Sequence, residues 1–226
     1  MTVEDPTDPK DLVRRGYDAL SWHYRADDAD DGAYGPWLAT LRERLPAGAR
    51  VLDLGCGCGI PVARSLADAG YAVTGVDFSQ VQLERARRLV PTARFVLADA
   101  TEVAFPTAAF DAIVCLYVLF HLPLHEQPVL LGRIAGWLRP GGWLLATVAE
   151  RTWTGTEDGW LGGPAPMWWS HAGVATYRDW IHRAGLELAG EELVPDGYGS
   201  GSHPLLWARR PQTSGVATRP SDGWSN

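Results

Sequence analysis

Nine residues constrain this chain more than any others: Val51-Leu52-Asp53-Leu54-Gly55-Cys56-Gly57-Cys58-Gly59. An apolar run, residues 50–54, enters a glycine-rich turn, and a helix-like stretch, residues 60–69, leaves it. Glycine lets backbone approach a ligand closely and takes the positive φ that tight turns demand. The first N–H groups of a helix have no partner within it and can face a ligand. The expected unit is strand, loop and helix, with the loop holding a small polar ligand at the C-terminal end of the strand.

The glycine spacing narrows the ligand. A dinucleotide fingerprint reads G-x-G-x-x-G, its third glycine packing helix on strand. Here the pattern is G-x-G-x-G, Ile60 stands at the dinucleotide's third-glycine position, and Pro61 suits a first helical turn. Asp53 lies two residues before the first glycine. A carboxylate there repels a pyrophosphate but attracts an ammonium group. The loop resembles the methionine-binding loop of the class I S-adenosylmethionine (SAM) methyltransferases.

Further motifs follow in order. Ala72-Val73-Thr74-Gly75-Val76-Asp77 reads as a second strand ending in an acid, which can pair with both hydroxyls of a ribose. Residues 94–100 read as a third strand, also ending in an acid, Asp99. Residues 110–116 form a fourth strand entered by Phe110-Asp111, a pair typical of the same family. Leu138-Arg139-Pro140-Gly141-Gly142 reads as a helix end and turn before a fifth strand. One acid at a strand end is readily a solvated residue or a helix cap. Three at successive strand ends are poorly explained that way. The resemblance covers residues 50–150 and, more loosely, the rest.

The resemblance implies a doubly wound, Rossmann-like, seven-stranded, mostly parallel sheet with an antiparallel C-terminal strand. It implies a single SAM-binding domain over residues 1–210: a helical lid (1–48), a cofactor core (50–150), a Trp-rich insertion after the fifth strand (151–173), and a closing helix and strands (174–210). Residues 211–226 are polar and aperiodic and read as a disordered tail. SAM, leaving as S-adenosylhomocysteine (SAH), is the implied cofactor. Its implied contacts are Asp53, Gly55, Cys56, Gly57 and Gly59 in and before the loop, Asp77 and Phe78 at the ribose, Asp99 and Ala100 at the adenine, and Leu116 and Tyr24.

Composition excludes several classes. At 226 residues with 46% apolar content, the chain can bury a full α/β core. No apolar run has the length of a membrane span, and no signal-like segment opens the chain. Three cysteines make no disulfide framework, and Cys56 and Cys58 lack the second pair or histidine cluster of a metal site. A reduced cytoplasmic protein without metal is expected. The net charge of −7 argues against nucleic acid, whose phosphates demand a basic face. Arg85, Arg87 and Arg88 fall on one expected helix as a solvated face. The segment after the fourth strand lacks the Asn/Asp-Pro-Pro-Tyr motif of methyltransferases acting on nucleobase or glutamine amides. The expected partner is a small molecule, with the chain a monomer or homodimer.

The ends of the chain would set specificity. A helix over 11–24 carries Tyr17-Asp18 and Tyr24, similar to the Tyr-Asp…Tyr lid pattern of the family; a second spans 34–45. Between them, residues 27–32 form an acidic link expected to be mobile and exposed. The insertion holds Trp153, Trp160, Trp168 and Trp169, which can stack an aromatic substrate or pack as a lid core. Trp153, Trp168 and Trp169 are the substrate-binding candidates. Ser170 is a candidate cap for a helix over 174–184.

Methyl transfer is an in-line displacement, for which alignment can supply roughly 7–11 kcal/mol. A general base adds about 10²–10⁴-fold when the acceptor must lose a proton. His121, His171 and Tyr17 are the catalytic candidates. His121 follows a central strand, and its bland role is a hydrogen bond to backbone. His23 and His203 have weaker positions, and His125 and His182 are expected on helices at the surface. The expected function is SAM-dependent methylation of a small molecule, an aromatic or heteroaromatic metabolite of a biosynthetic pathway. The alternatives are a SAM-binding regulator or assembly partner without turnover and, disfavoured by Ile60 and Asp53, an NAD-dependent oxidoreductase.

Overall fold

The computed structural model describes residues 8–195 and 201–212. Its central strands are β1 (Arg50–Leu54), β2 (Ala72–Asp77), β3 (Arg94–Leu97), β4 (Phe110–Cys115) and β5 (Leu138–Thr147). They are flanked by α1 (Pro9–Tyr24), α2 (Tyr34–Glu43), α3 (Val62–Asp68), α4 (Gln80–Leu89) and α5 (Gln127–Trp137). A hairpin of β6 (Trp153–Glu157) and β7 (Met167–His171) follows, then α6 (Val174–Arg183), β8 (Glu187–Pro195) and β9 (Ser202–Arg209). The main sheet has seven strands in the order β3-β2-β1-β4-β5-β9-β8. β1 pairs in parallel with both β2 and β4, so the strand order reverses at β1. β9 runs antiparallel to both β5 and β8. The expected architecture, including the antiparallel strand and the insertion after the fifth strand, is the one observed.

The strands form because alternate residues find apolar cover on both faces, as parallel strands require. On one face Leu52, Leu54, Ile113 and Cys115 pack with Leu130, Leu131 and Ile134 of α5 and Tyr177 and Ile181 of α6. On the other, Val51, Ala112 and Val114 pack with Leu38 and Leu41 of α2 and Ala63 and Leu66 of α3. Leu52 is fully buried between these layers; truncating such a leucine to alanine costs about 2–5 kcal/mol. The C-terminal ends of β1, β2 and β4 therefore open together on one edge of a rigid sheet.

Several local expectations are corrected. α1 begins at Pro9 because Asp8 caps it, its side chain accepting from the Lys10 N–H. The Pro-Gly-Gly segment lies within β5, whose pairing with β4 breaks register between Phe110 and Ala112. His125 lies before α5, not on a helix, and its side chain is 83% exposed. Ser170 caps nothing: it sits buried on β7 within bonding distance of the Thr154 hydroxyl, and Gly173 precedes α6. The tail beyond residue 212 lies outside the described residues.

The largest correction concerns charge. Arg85 is not solvated but 2% exposed. Its guanidinium donates to the carbonyls of Ser21 and Arg25, the Ser21 hydroxyl and Asp27. The last carbonyls of a helix lack internal partners and favour a cation; Arg85 supplies both needs for α1. The acidic link is docked for the same reason. Asp27 pairs with Arg85 and Arg88, and Asp31 accepts from the Ser65 hydroxyl. Arg85→Met should cost about 2–4 kcal/mol, since it strands several bonds to a charged group. Chemical denaturation measures this, and unchanged stability would mean that water replaces the guanidinium.

Candidate active site

A cavity opens at the C-terminal edge of β1, β2 and β4, the edge at which doubly wound sheets bind ligands. A second chamber shares Tyr24, Gly55, Gly57, Gln82, Leu116 and Tyr117 with it, so the two adjoin. The glycine loop forms their common wall. Gly55 has φ 69° and Gly57 φ 51°, conformations that side chains rarely take. A Cβ on Gly55 would meet Val118 at 2.2 Å, whereas one on Gly57 would meet nothing within 4 Å. Gly59 lines neither cavity and packs against Val90 and Phe95.

The three strand-end acids differ in environment. Asp53 is 3% exposed and lines the second chamber, and its Oδ2 is buried with no hydrogen-bond partner among the described residues. Burial, with Asp77 nearby, holds its carboxyl well above the ordinary range. Asp77 lines the main cavity and accepts from the backbone N–H of Gly57 and of Ser79, each at 2.9 Å. Burial raises it to about 6 despite these donors. Asp99 also lines the main cavity. Burial pushes it up, but the Lys10 ammonium and Thr101 outweigh that and hold it below the usual carboxylate range.

The far end of the cavity joins three segments distant in sequence. The Tyr17 hydroxyl lies 3.0 Å from His121 Nε2, and His121 Nδ1 lies 3.0 Å from the carbonyl oxygen of Trp168. A carbonyl can only accept, so Nδ1 carries the proton and Nε2 is the accepting nitrogen that faces Tyr17. Burial lowers the His121 imidazole to about 4. Trp169 packs on the ring at 4.4 Å, and its indole N–H is buried without a partner among the described residues. Trp160 and Tyr24 meet Tyr17 edge to face. The insertion therefore orients His121 through a main-chain carbonyl of β7 and covers it with an indole.

Of the residues singled out from sequence, Tyr17, Tyr24, Gly55, Gly57, Asp77, Phe78, Asp99, Ala100, Leu116 and His121 line the main cavity. Asp53 and Cys56 line the second chamber, where burial pushes the Cys56 thiol well up. Trp168 and Trp169 line neither but touch His121. Trp153 and His171 stand apart, facing each other across the open end of the hairpin. Trp153 is 45% exposed. His171 is half-buried, its Nδ1 bonded to the Arg151 carbonyl. The structure does not bring either to the cavity: they share the face of Trp169 but pair with each other at the far end of the hairpin.

Sequence reasoning missed Val13, Gln82, Tyr117, Arg25 and Lys10. Val13 stands four residues before Tyr17, on the same helix face; that spacing was available. Tyr117 lines both cavities at φ 60°, a strained position for a side chain of its size. Nothing in the sequence marks it.

A family profile described as a methyltransferase domain matches residues 21–191. The chain is 39% identical over 164 residues to the 27-O-demethylrifamycin SV methyltransferase of Amycolatopsis mediterranei, covering 63% of this chain and 58% of that one. It is 31% identical over 151 residues to the 2-methyl-6-phytyl-1,4-hydroquinone methyltransferase of Synechocystis sp., covering 66% and 45%. The chain thus spans about half the length of these curated relatives. Among solved structures, the 1,6-didemethyltoxoflavin-N1-methyltransferase of Burkholderia thailandensis superposes with a TM-score of 0.71 at 22% identity, covering 94% and 93%. At that identity the likeness carries the fold alone.

Proposed function

The chain belongs to the methyltransferase-domain family, and from that premise we propose that it transfers a methyl group from SAM to a hydroxylated aromatic or heteroaromatic small molecule. One observation carries this reading. Two adjoining cavities have the glycine loop and three strand-end acids at one side and the Tyr17–His121 pair at the other. The buried Asp53 oxygen, without a partner among the described residues, supports a ligand with an ammonium group. An NAD pyrophosphate has nothing to offer it.

SAM supplies an electrophilic methyl on a sulfonium. The chain supplies position and a proton acceptor. Asp53 would take the amino group, Asp77 the ribose hydroxyls, and Asp99 with Ala100 the adenine edge. Tyr17 and His121 would face the acceptor. The acceptor's hydroxyl proton passes to His121 Nε2, directly or through the Tyr17 hydroxyl, while the Trp168 carbonyl holds the protonated ring. His171 is not the base in this reading. α1 and the hairpin close the site, and the molecule acts in the cytoplasm without nucleic acid. Among the described residues no helix is long and apolar enough to cross a membrane.

Incubation with methyl-labelled SAM and a panel of phenols and hydroxyquinones should transfer label and accumulate SAH. Tight SAM binding with no transfer to any acceptor would favour a regulator instead. Asp77→Ala should weaken SAM at least about tenfold, the value of bonds to a charged group. Because Asp77 titrates near 6, its carboxylate is complete above pH 7 and lost as pH falls through 6. Wild-type SAM affinity should therefore fall between pH 7.5 and 5, and the Asp77→Ala variant should lack that component. A pH-independent affinity in the wild type would place the ribose elsewhere.

A further inference from the structure

Lys10 is the only lysine in the chain, and its ammonium pairs with Asp99, which lines the main cavity. It lies 2.7 Å from Asp99 Oδ2, 3.0 Å from Glu126 Oε2 and 3.3 Å from Thr101 Oγ1. An ammonium has three donors, and all three are engaged. Asp99 Oδ1 meanwhile accepts both the N–H and the hydroxyl of Thr101, each at 2.7 Å. A carboxylate offers about four lone-pair sites. Three are filled by Lys10 and Thr101, which leaves one, on an acid that lines the cavity.

We infer that Lys10 is a positioning residue that makes Asp99 a pure acceptor, and so selects a 6-amino purine over a 6-oxo purine. The inference rests on the SAM reading above. A carboxylate fixed by a cation on one oxygen and by Thr101 on the other can neither rotate nor donate. It can accept from an exocyclic amine, and it repels the carbonyl of hypoxanthine. Without the ammonium, a mostly buried carboxyl is free to take a proton and donate to that carbonyl. Lys10 also ties the start of α1 to the segment after β3. A simple fastening role makes a different prediction: loss of Lys10 would weaken all ligands alike.

Calorimetric titrations of the full chain with SAH and with S-inosylhomocysteine, its deaminated analogue, separate the two. Wild type should prefer SAH by roughly tenfold to a hundredfold, the range for a bond to a charged group. Lys10→Met should shrink that ratio at least about fivefold, and Lys10→Arg should restore most of it. Glu126→Gln loosens the same fastening but leaves Asp99 its cation, so the ratio should hold. Thermal melts confirm that each variant is folded. Equal weakening of both ligands in Lys10→Met, with the ratio unchanged, would overturn the inference while leaving the SAM reading intact. Failure of wild type to bind SAH at all would reject both.

Discussion

Replacing His121 by alanine should lower kcat by roughly 10²–10⁴-fold, the usual contribution of a general base, while SAH affinity changes by less than about threefold. The imidazole is fixed at both nitrogens, by Tyr17 and by the Trp168 carbonyl, so it is aimed before substrate arrives. His121→Gln fills more of the space and guards against a packing artefact. Tyr17→Phe should fall in the same direction, and His171→Ala should leave kcat nearly unchanged because His171 is spent on Arg151 and Trp153. The pH profile adds a second reading. The neutral ring is the active form and burial holds its proton affinity near 4, so kcat should stay level down to about pH 5 and fall only near 4. An acid limb near 6.5, or full turnover in His121→Ala, would mean that the base lies elsewhere or that alignment alone suffices.

Asp53→Asn should weaken SAM by about a hundredfold or more, since it removes one partner of a buried charge pair. The wild-type carboxyl is buried, without a partner for Oδ2 among the described residues, and held well above its ordinary range. Its folded value lies above its unfolded one, so the unliganded fold loses stability as pH rises from the unfolded value through the folded one. An incoming ammonium reverses this by stabilising the carboxylate, which must then release its proton. Titrations in buffers of different ionisation enthalpy should show up to about one proton released per SAM in wild type, and none from this source in Asp53→Asn. Equal proton release in both would take Asp53 out of the site.

The sheet was readable from sequence because each strand end carried its own marker. Glycines followed β1, Asp77 closed β2, Asp99 followed β3 and Phe110-Asp111 opened β4. Periodicity and turn chemistry are local, and local signals survive without knowledge of tertiary contacts. Arg85 and Lys10 were misjudged or passed over because their partners are distant. Arg85 reads as one of three arginines on a polar helix, yet it meets carbonyls at the end of α1 some sixty residues earlier. Lys10 reads as a helix-start lysine, yet it spans to Thr101 and Glu126. Tyr17 and His121 could be brought to one edge by topology, but the bond between them and the carbonyl behind them depend on how the hairpin folds. The same hairpin keeps Trp153 and His171 out of the cavity: they share a face with Trp169 but stand opposite one another at its open end, where they contact each other.

Titration of the purified chain with SAH tests most directly whether the glycine loop and its three acids hold SAM. One saturable site, heat that depends on buffer ionisation, and no response to NAD or NADP are expected. Absence of SAH binding, or binding of NAD in its place, would contradict this reading.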